Sequence, residues 1–422
     1  MKAIHTLIIC LLCCFCTFSC AEAPKEITPL FPCSKKLNNP YGVCAHLTQT
    51  FWDQPYHDSL IKSMKQAQIS NVRFDLWIPY LETLKGNKLL QIIDSAVEKN
   101  VNANLDQLGI LFVGWKGQRA WDKKKEYLAF LDTLLFHYHN TIPYWEVMNE
   151  INLNGARDNI SADSVLSLYM SLLPITYKKI KEANPNIVVT SSSISDAPDN
   201  FVDLMSKRKC YNYFDVLNFH SYDYPEKLPI KFQRIVKSMI EDRWEKPVWL
   251  TECGYSTFAE PTLEFWAKDS IRKEQEQAYR IPRTYLISFA YGIDKVFTYS
   301  LRARENNVHS SEDNYGILHS NLTPKPAYYA YQTLTKMCPN RSTRPVLTEY
   351  GNVYLVKWKR PDGKIVYAVW TSKGKETVRV VRGNYNCYDI YGNVLSVYND
   401  DIEITSSIKY FVGGKRLEIR LN

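Results

Sequence analysis

From about Pro40 the chain alternates short apolar runs with longer stretches in which apolar residues recur every three or four positions. The short runs predict strands near Gly42–His46, Asn71–Trp77, Val101–Leu108, Tyr144–Asn149, Ile187–Ser193, Phe214–Tyr222, Val248–Tyr255 and Lys295–Ser300. The stretches between them predict helices. In Glu126–His139 the residues Tyr127, Leu128, Leu131, Leu134, Leu135 and Tyr138 share one face, and Ser164–Ala183 and Arg272–Phe289 repeat the pattern. Eight strands alternating with helices imply a parallel sheet with right-handed crossovers, and eight such units close into a (β/α)8 TIM barrel. A doubly wound open sheet is the alternative, weakened because neither GxGxxG nor a phosphate loop follows the first strand.

The pattern changes after Ala327–Met337, the expected last barrel helix, into which Thr323 and Pro326 lead as cap and first turn. From Thr348 onward, strand-like runs (Val353–Trp358, Ile365–Trp370, Glu376–Val381) are separated by turn residues such as Pro361-Asp362-Gly363. The expected organisation is an α/β chain with a barrel over 40–340 and a small C-terminal antiparallel β domain over 341–422.

The residues before the barrel read as an export signal and a leader over 21–39. Lys2 supplies a short positive segment, and Ile8–Phe18 is an apolar run too short to span a bilayer. It ends Thr17-Phe18-Ser19-Cys20, which resembles a bacterial lipobox with Thr17 in place of the usual Leu. Cleavage before Cys20 would leave a lipidated N-terminus, and Ala21-Glu22-Ala23 is the competing cleavage site. The expectation is an exported envelope or surface lipoprotein, or a periplasmic or secreted protein, touching the membrane only through that anchor. Six cysteines lie beyond residue 20, with no CxxC spacing among them. That disfavours a zinc site, leaves one or two disulfides possible, and makes Cys33 and Cys44 the nearest pair.

Composition changes the picture little. The net charge of +8 is scattered, and its densest stretch, Lys227–Lys246, also contains Glu241, Asp242 and Glu245, which reads as a solvated helix face. No common nucleic-acid motif is present, so no nucleic-acid partner is expected. The 29 Tyr and 10 Trp suit either a sugar-binding cleft or an extracellular β-rich protein.

Chemistry concentrates at two strand ends. Tyr144-Trp145-Glu146-Val147-Met148-Asn149-Glu150 is an apolar strand ending in two polar residues, and Val248-Trp249-Leu250-Thr251-Glu252 places a carboxylate inside an apolar run. A buried carboxylate needs a partner or a function, because an unpaired buried charge is costly. By strand count Glu150 closes the fourth strand and Glu252 the seventh, at the barrel face where active sites are built. Two carboxyl groups about 5–5.5 Å apart are what cleavage of a glycosidic bond with retention requires, one as acid/base and one as nucleophile.

With Asn149-Glu150 after strand four, and Thr251-Glu252 with Gly254 after strand seven, the chain resembles clan A of the glycoside hydrolases, most nearly families 5 and 39. The resemblance covers roughly residues 40–338. It implies a retaining glycosidase acting by double displacement on a β-linked glycan or glycoside, Glu150 being the acid/base and Glu252 the nucleophile. Asn149 would hydrogen-bond the sugar 2-hydroxyl, and Arg73 on strand two matches the clan's arginine that contacts the nucleophile. Its alternative is an ion pair with Asp75. His220-Ser221-Tyr222 matches a His-x-Tyr pattern on strand six, where period two also puts Asn218 on the same face. Tyr222 would hold the nucleophile, and His220 would sit near either carboxyl group. Repulsion between the glutamates, with Arg73 beside Glu252, is expected to keep Glu150 protonated and Glu252 ionised.

Further candidates for the sugar site are His46 at the end of strand one, Trp115 after strand three, and Tyr299 on strand eight. Tyr299 stands where family 5 members usually carry Trp. Trp52 and Trp121 are weaker candidates. Arg302 and Arg304 would either favour an acidic sugar or pair with local carboxylates such as Glu305, and Cys253 is expected to pack inward. No cofactor and no metal is expected. The one His-x-His spacing, His137-Tyr138-His139, ends a helical pattern away from the strand C-termini. A non-catalytic carbohydrate-binding barrel on the cell surface is the alternative function.

Overall fold

The computed structural model describes residues 24–76, 88–111, 114, 119–259 and 266–421. The candidates Cys20 and Trp115 lie outside these residues.

Eight parallel strands form the barrel: β1 (Tyr41–Cys44), β2 (Asn71–Leu76), β3 (Asp106–Leu111), β4 (Tyr144–Val147), β5 (Val188–Thr190), β6 (Leu217–Ser221), β7 (Val248–Cys253) and β8 (Val296–Thr298). Each pairs with its sequence neighbour, and β8 returns to β1 through Val296–Tyr41, Phe297–Gly42 and Thr298–Val43. The ring closes at β5. Val188–Thr190 pairs with β4, Thr190 bridges to Val216, and the two-residue continuation Ile194–Ser195 pairs with β6. Gly42 is required where it stands, since a Cβ there would lie 2.3 Å from the Phe297 ring that fills the barrel. The fold is the expected (β/α)8 barrel with a C-terminal antiparallel β domain.

Two elements differ from the pattern-based expectation. The run Val101–Leu108 is not one strand: a helix spans Lys88–Asn102, Asn104 turns the chain in a left-handed conformation (φ 53°), and β3 starts at Asp106. Val101 belongs to the last helical turn and is exposed, so its apolar side chain was a misleading signal. Ser164–Ala183 is two helices, Ala162–Met170 and Leu173–Ala183. Pro174 sits in the first turn of the second, where its missing N–H costs nothing; inside one continuous helix it would remove a hydrogen bond and clash.

After the helix Pro326–Met337, the strands β9 (Val346–Tyr350), β10 (Val353–Lys359), β11 (Ile365–Thr371), β12 (Glu376–Arg382), β13 (Tyr385–Tyr388), β14 (Val394–Leu395), β15 (Asp401–Ile404), β16 (Lys409–Gly413) and β17 (Glu418–Leu421) build two antiparallel sheets. Alternate residues of β10, β11, β12 and β15 meet in an apolar layer that includes Leu355, Val369, Val378 and Ile404. The leader contributes to this region, since Lys25–Glu26 pairs with β9. The domain is fastened to the barrel by two indoles. Trp358 Nε1 donates to the Met337 carbonyl (2.9 Å), and Trp370 Nε1 donates to Glu226 (3.0 Å). All six described cysteines are free thiols, so none of the one or two possible disulfides is formed; Cys44 points into the barrel, where its thiol donates to the Thr251 carbonyl. No described helix is long and apolar enough to cross a membrane.

Candidate active site

The strands deliver their polar residues to one end of the barrel. Arg73, three positions into β2, is almost wholly buried and, besides Cys44 Sγ (3.8 Å), binds three oxygen-bearing side chains. Its Nε and Nη2 donate to both oxygens of Glu146 (2.7 and 3.0 Å), Nη1 donates to Glu252 Oε1 (2.6 Å), and Nη2 donates to Asn149 Oδ1 (2.7 Å). The alternative pairing with Asp75 is not seen; Asp75 instead accepts from His46 (2.8 Å) and Gln49 (2.8 Å). Glu146 was not singled out from the sequence, although a carboxylate in the run Tyr144-Trp145-Glu146-Val147 carries the same signal that flagged Glu252.

The chain bends sharply at the end of β4. Met148 and Glu150 both have positive φ (70° and 46°), a region unfavourable for residues with a side chain. Neighbours hold the bend. The Asn154 amide donates to the Asn149 and Glu150 carbonyls (2.9 and 3.1 Å), and the Glu150 N–H donates to Ser193 Oγ (3.2 Å). Ser193 Oγ also donates to Asn149 Oδ1 (2.8 Å). With that oxygen occupied by Arg73 and Ser193, the Asn149 Nδ2 hydrogens are the polar group left over.

His220 Nδ1 lies 2.9 Å from Glu150 Oε1 and 3.5 Å from Glu252 Oε2, and Tyr222 donates its hydroxyl to Glu252 Oε2. Ligand-type atoms of Glu150, His220 and Glu252 all lie within 4.8 Å of one another, the one such cluster among the described residues. Three atoms this close can bracket a cation. Here Arg73 already places a positive charge on one oxygen of Glu252, and the Tyr222 hydroxyl donates to the other.

The electrostatics of the unliganded pocket run opposite to the expectation for both glutamates. Burial pushes Glu150 up, but the hydrogen bond and charge of His220 outweigh it and hold the carboxyl below its ordinary value. Burial, with the charge of Glu150 added, pushes Glu252 above its ordinary value against the pull of His220, Arg73 and the Tyr222 hydroxyl. The physical reason is that Arg73 divides its charge between Glu146 and Glu252, while His220 stands closer to Glu150.

The remaining candidates lie along one wall. His46 Nε2 meets the Tyr299 hydroxyl (3.1 Å), and Tyr299 donates to Glu312 and packs edge-on against Tyr222. Burial pushes His46 down, but the charge and hydrogen bond of Asp75 raise it overall. Trp52 stacks on His46 with centroids 3.9 Å apart. A non-prolyl cis peptide joins Tyr299 to Ser300. Trp121 packs against the core. Arg302 pairs with Asp53 (3.0 Å) and Arg304 with Asp313 (2.5 Å), so local carboxylates do take them, but not Glu305, which binds His319 (2.7 Å). Cys253 is buried and donates to the Phe297 carbonyl.

A family model described as "Glycosyl hydrolase catalytic core" matches residues 97–331, more than half of the chain. No curated protein matches it. Among solved structures, it is similar to a family 39 glycoside hydrolase from the gut symbiont Bacteroides cellulosilyticus WH2, with 19% identity, 90% of this chain and 81% of that one covered, and a TM-score of 0.67. It is also similar to a monomeric beta-xylosidase from Caulobacter crescentus CB15, with 12% identity, 91% and 98% covered, and a TM-score of 0.58. A GH30 endoxylanase from Clostridium papyrosolvens C71 aligns at 14% identity over 92% and 100% of the two chains, with a TM-score of 0.56. By the family match, the chain belongs to the glycosyl hydrolase catalytic-core family and is a glycosidase.

Proposed function

We propose that the protein is a retaining β-glycosidase in which Glu252 is the nucleophile and Glu150 the acid/base. The observation that carries this reading is the approach of the two carboxylates within 4.8 Å at the ends of β4 and β7. That spacing suits direct attack; an inverting pair needs roughly 6.5–9.5 Å to admit a water. Glu252 attacks the anomeric carbon, the glycosidic C–O bond breaks, and Glu150 gives its proton to the departing oxygen. Water then adds to the anomeric carbon, Glu150 takes its proton, and the bond to Glu252 breaks.

Glu150 must be protonated and Glu252 ionised when the bond breaks. His220 Nδ1, within reach of both, is placed to pass the proton. A sugar in the pocket excludes water, which favours the neutral form of Glu150. Arg73 and Tyr222 stay on Glu252 and favour its charged form. Asn149 would meet the 2-hydroxyl through its free amide hydrogens, while His46 and Tyr299 line the opposite wall. Export as a lipoprotein through Cys20 belongs to the same proposal, since a glycan too large to enter a cell must be cut outside it. Two similar structures are described as a beta-xylosidase and an endoxylanase, so β-xylosides are the first substrates to test.

The test is hydrolysis of aryl β-xylosides, β-glucosides and β-galactosides, with the first-formed anomer read by proton NMR. The β product is expected first; an α product appearing first would overturn retention.

A further inference from the structure

Glu150 stands at the head of the helix Ile151–Arg157, and the spacing of four sets Glu150, Asn154 and Asp158 one above another along that helix face. The turns between them are closed: the Asn154 N–H donates to the Glu150 carbonyl (2.9 Å) and the Asp158 N–H to the Asn154 carbonyl (3.0 Å). A cation from another part of the chain lies across this row. Arg119, on the loop after β3, is buried and donates through Nε and Nη2 to both oxygens of Asp158 (2.7 and 2.9 Å). Its Nη1 donates to Asn154 Oδ1 (3.0 Å) and to the Gly114 carbonyl. We propose that Arg119 is a positioning residue that sets the direction of the Glu150 side chain through Asn154. The inference rests on the reading of Glu150 as acid/base.

Three links carry it. The first is the orientation of an amide, which has one accepting end and one donating end. Arg119 offers only hydrogens, so it takes the oxygen of Asn154. The Nδ2 hydrogens are thereby turned to the backbone, where they donate to the Asn149 and Glu150 carbonyls (2.9 and 3.1 Å). An amide turned the other way would set its hydrogens against the guanidinium and its oxygen against two carbonyls. The second link is what those two carbonyls fix. They belong to the peptide planes on either side of the Glu150 Cα, where φ is 46°, a conformation unfavourable for a residue with a side chain. Holding both planes from one amide fixes φ and ψ together, and with them the direction in which the Cα–Cβ bond carries the carboxyl toward His220.

The third link is the anchoring of the arginine itself. Two parallel hydrogen bonds to one carboxylate hold a guanidinium in plane as well as in place, and both side chains of this pair are buried. Asp158 thus supplies the charge that a buried cation needs and makes the arginine rigid enough to orient its second partner. A lysine could neutralise Asp158, but it has no planar fork with which to reach Asn154 at the same time.

The experiment measures kcat/KM on the dinitrophenyl and phenyl β-glycosides of the sugar that the parent cleaves fastest among xylose, glucose and galactose. A well-placed acid matters for the phenolate leaving group and hardly at all for the dinitrophenolate. Asn154→Ala leaves the Arg119–Asp158 pair intact. It should lose about 10- to 100-fold on the phenyl glycoside and stay within about threefold on the dinitrophenyl one. Arg119→Lys should lose in the same direction, and the double variant should be no worse than Asn154→Ala, because one route carries both effects. No loss, or an equal loss on both substrates, overturns the proposal, since a weakened fold does not choose between leaving groups. Losses that multiply in the double variant overturn the route through Asn154. Glu150→Ala is measured alongside. If it spares the dinitrophenyl glycoside and the Asn154 and Arg119 variants do not, this inference alone fails. If it shows no such selectivity, or the parent cleaves none of the glycosides, the acid/base reading fails and this inference with it. Thermal melting checks that each variant is folded at the assay temperature; should Arg119→Lys not be, Asn154→Ala decides.

Discussion

The two ends of the same barrel treat buried charge in opposite ways. At the N-terminal end Lys295 is the cation. Its Nζ donates to the Asn39 carbonyl (2.8 Å) and Asn71 Oδ1 (3.0 Å), and it lies over the Tyr144 and Trp249 rings at 5.0 and 5.5 Å. No described carboxylate pairs with it directly, and burial pushes its ammonium down to about 8 against the charges of Asp106 and Asp294. At the C-terminal end Arg73 is the cation, and it is shared by Glu146 and Glu252, with Glu150 and His220 just beyond. One end holds its cation on fixed neutral acceptors and rings, with Asp106 and Asp294 acting on it only through their charge. The other gathers Glu146, Glu150 and Glu252 around one arginine and one histidine. The first arrangement plugs a barrel; the second can move a proton, in keeping with the division of such barrels into a stability face and a catalytic face.

The strongest way to break this comparison is to remove the two proposed reacting groups. Glu252→Ala should lower kcat/KM by about 10⁴-fold or more, with azide restoring part of the turnover as a glycosyl azide seen by mass spectrometry. Glu150→Ala should lose roughly 10²–10⁴-fold on poor leaving groups and much less on activated aryl glycosides. If both variants keep the parent's rates, the catalytic end has been misassigned.

The cations give the next largest contrast. Arg73→Met leaves Glu146 and Glu252 without their partner and should cost about 3–5 kcal/mol in chemical denaturation, together with most of the activity. Lys295→Met should keep kcat within about threefold of the parent, since it removes no group near the reacting bond. Lys295 has a depressed value in the fold, so the unfolded chain binds more protons between about 8 and its ordinary 10.5. The parent should therefore gain stability relative to Lys295→Met as pH rises through that window. An equal loss of kcat in both variants would erase the distinction between the two ends.

His220 sharpens the picture within the catalytic end. Because it holds Glu150 below its ordinary value, His220→Asn leaves burial as the main influence and raises Glu150. The alkaline limb of the kcat/KM profile should then move to higher pH, with a rate loss of about 10²-fold. An unmoved limb would show that His220 only packs.

The smallest effect is expected at Glu305, on the loop after β8 at the rim of the C-terminal end. Burial pushes it up, but His319 and the N–H and hydroxyl of Ser320 hold it down to about 2. Its contribution is present above the unfolded value of about 4.5 and is lost as pH falls toward 2. Glu305→Gln should melt slightly lower at pH 7, by about 0.5–1 kcal/mol for this half-exposed group, and the gap should close near pH 2.

Much of this was written in local pattern. Period-two and period-three-to-four hydrophobicity located the strands and most helices, and alternation along Val216–Tyr222 put His220 and Tyr222 on one face, where the structure has both reaching the glutamates. Glu150 and Glu252 were legible because a carboxylate at the end of an apolar strand is costly without a purpose. The boundary of β3 was not legible, because an exposed Val101 in a final helical turn reads like the start of a strand.

What the amino-acid order determined by itself was the sequence of elements and the residue types each presents. Tertiary structure alone decided who pairs with whom: that Arg73 takes Glu146 as well as Glu252, that Ser193 and Asn154 brace the bend at Glu150, and that Asp53 and Asp313 neutralise Arg302 and Arg304. Periodicity is a property of neighbours along the chain, set by backbone geometry. The protonation of a buried cluster depends on distances of a few ångströms between groups far apart in the chain, as for His46 and Tyr299, 253 positions apart. Only closing the barrel sets those distances.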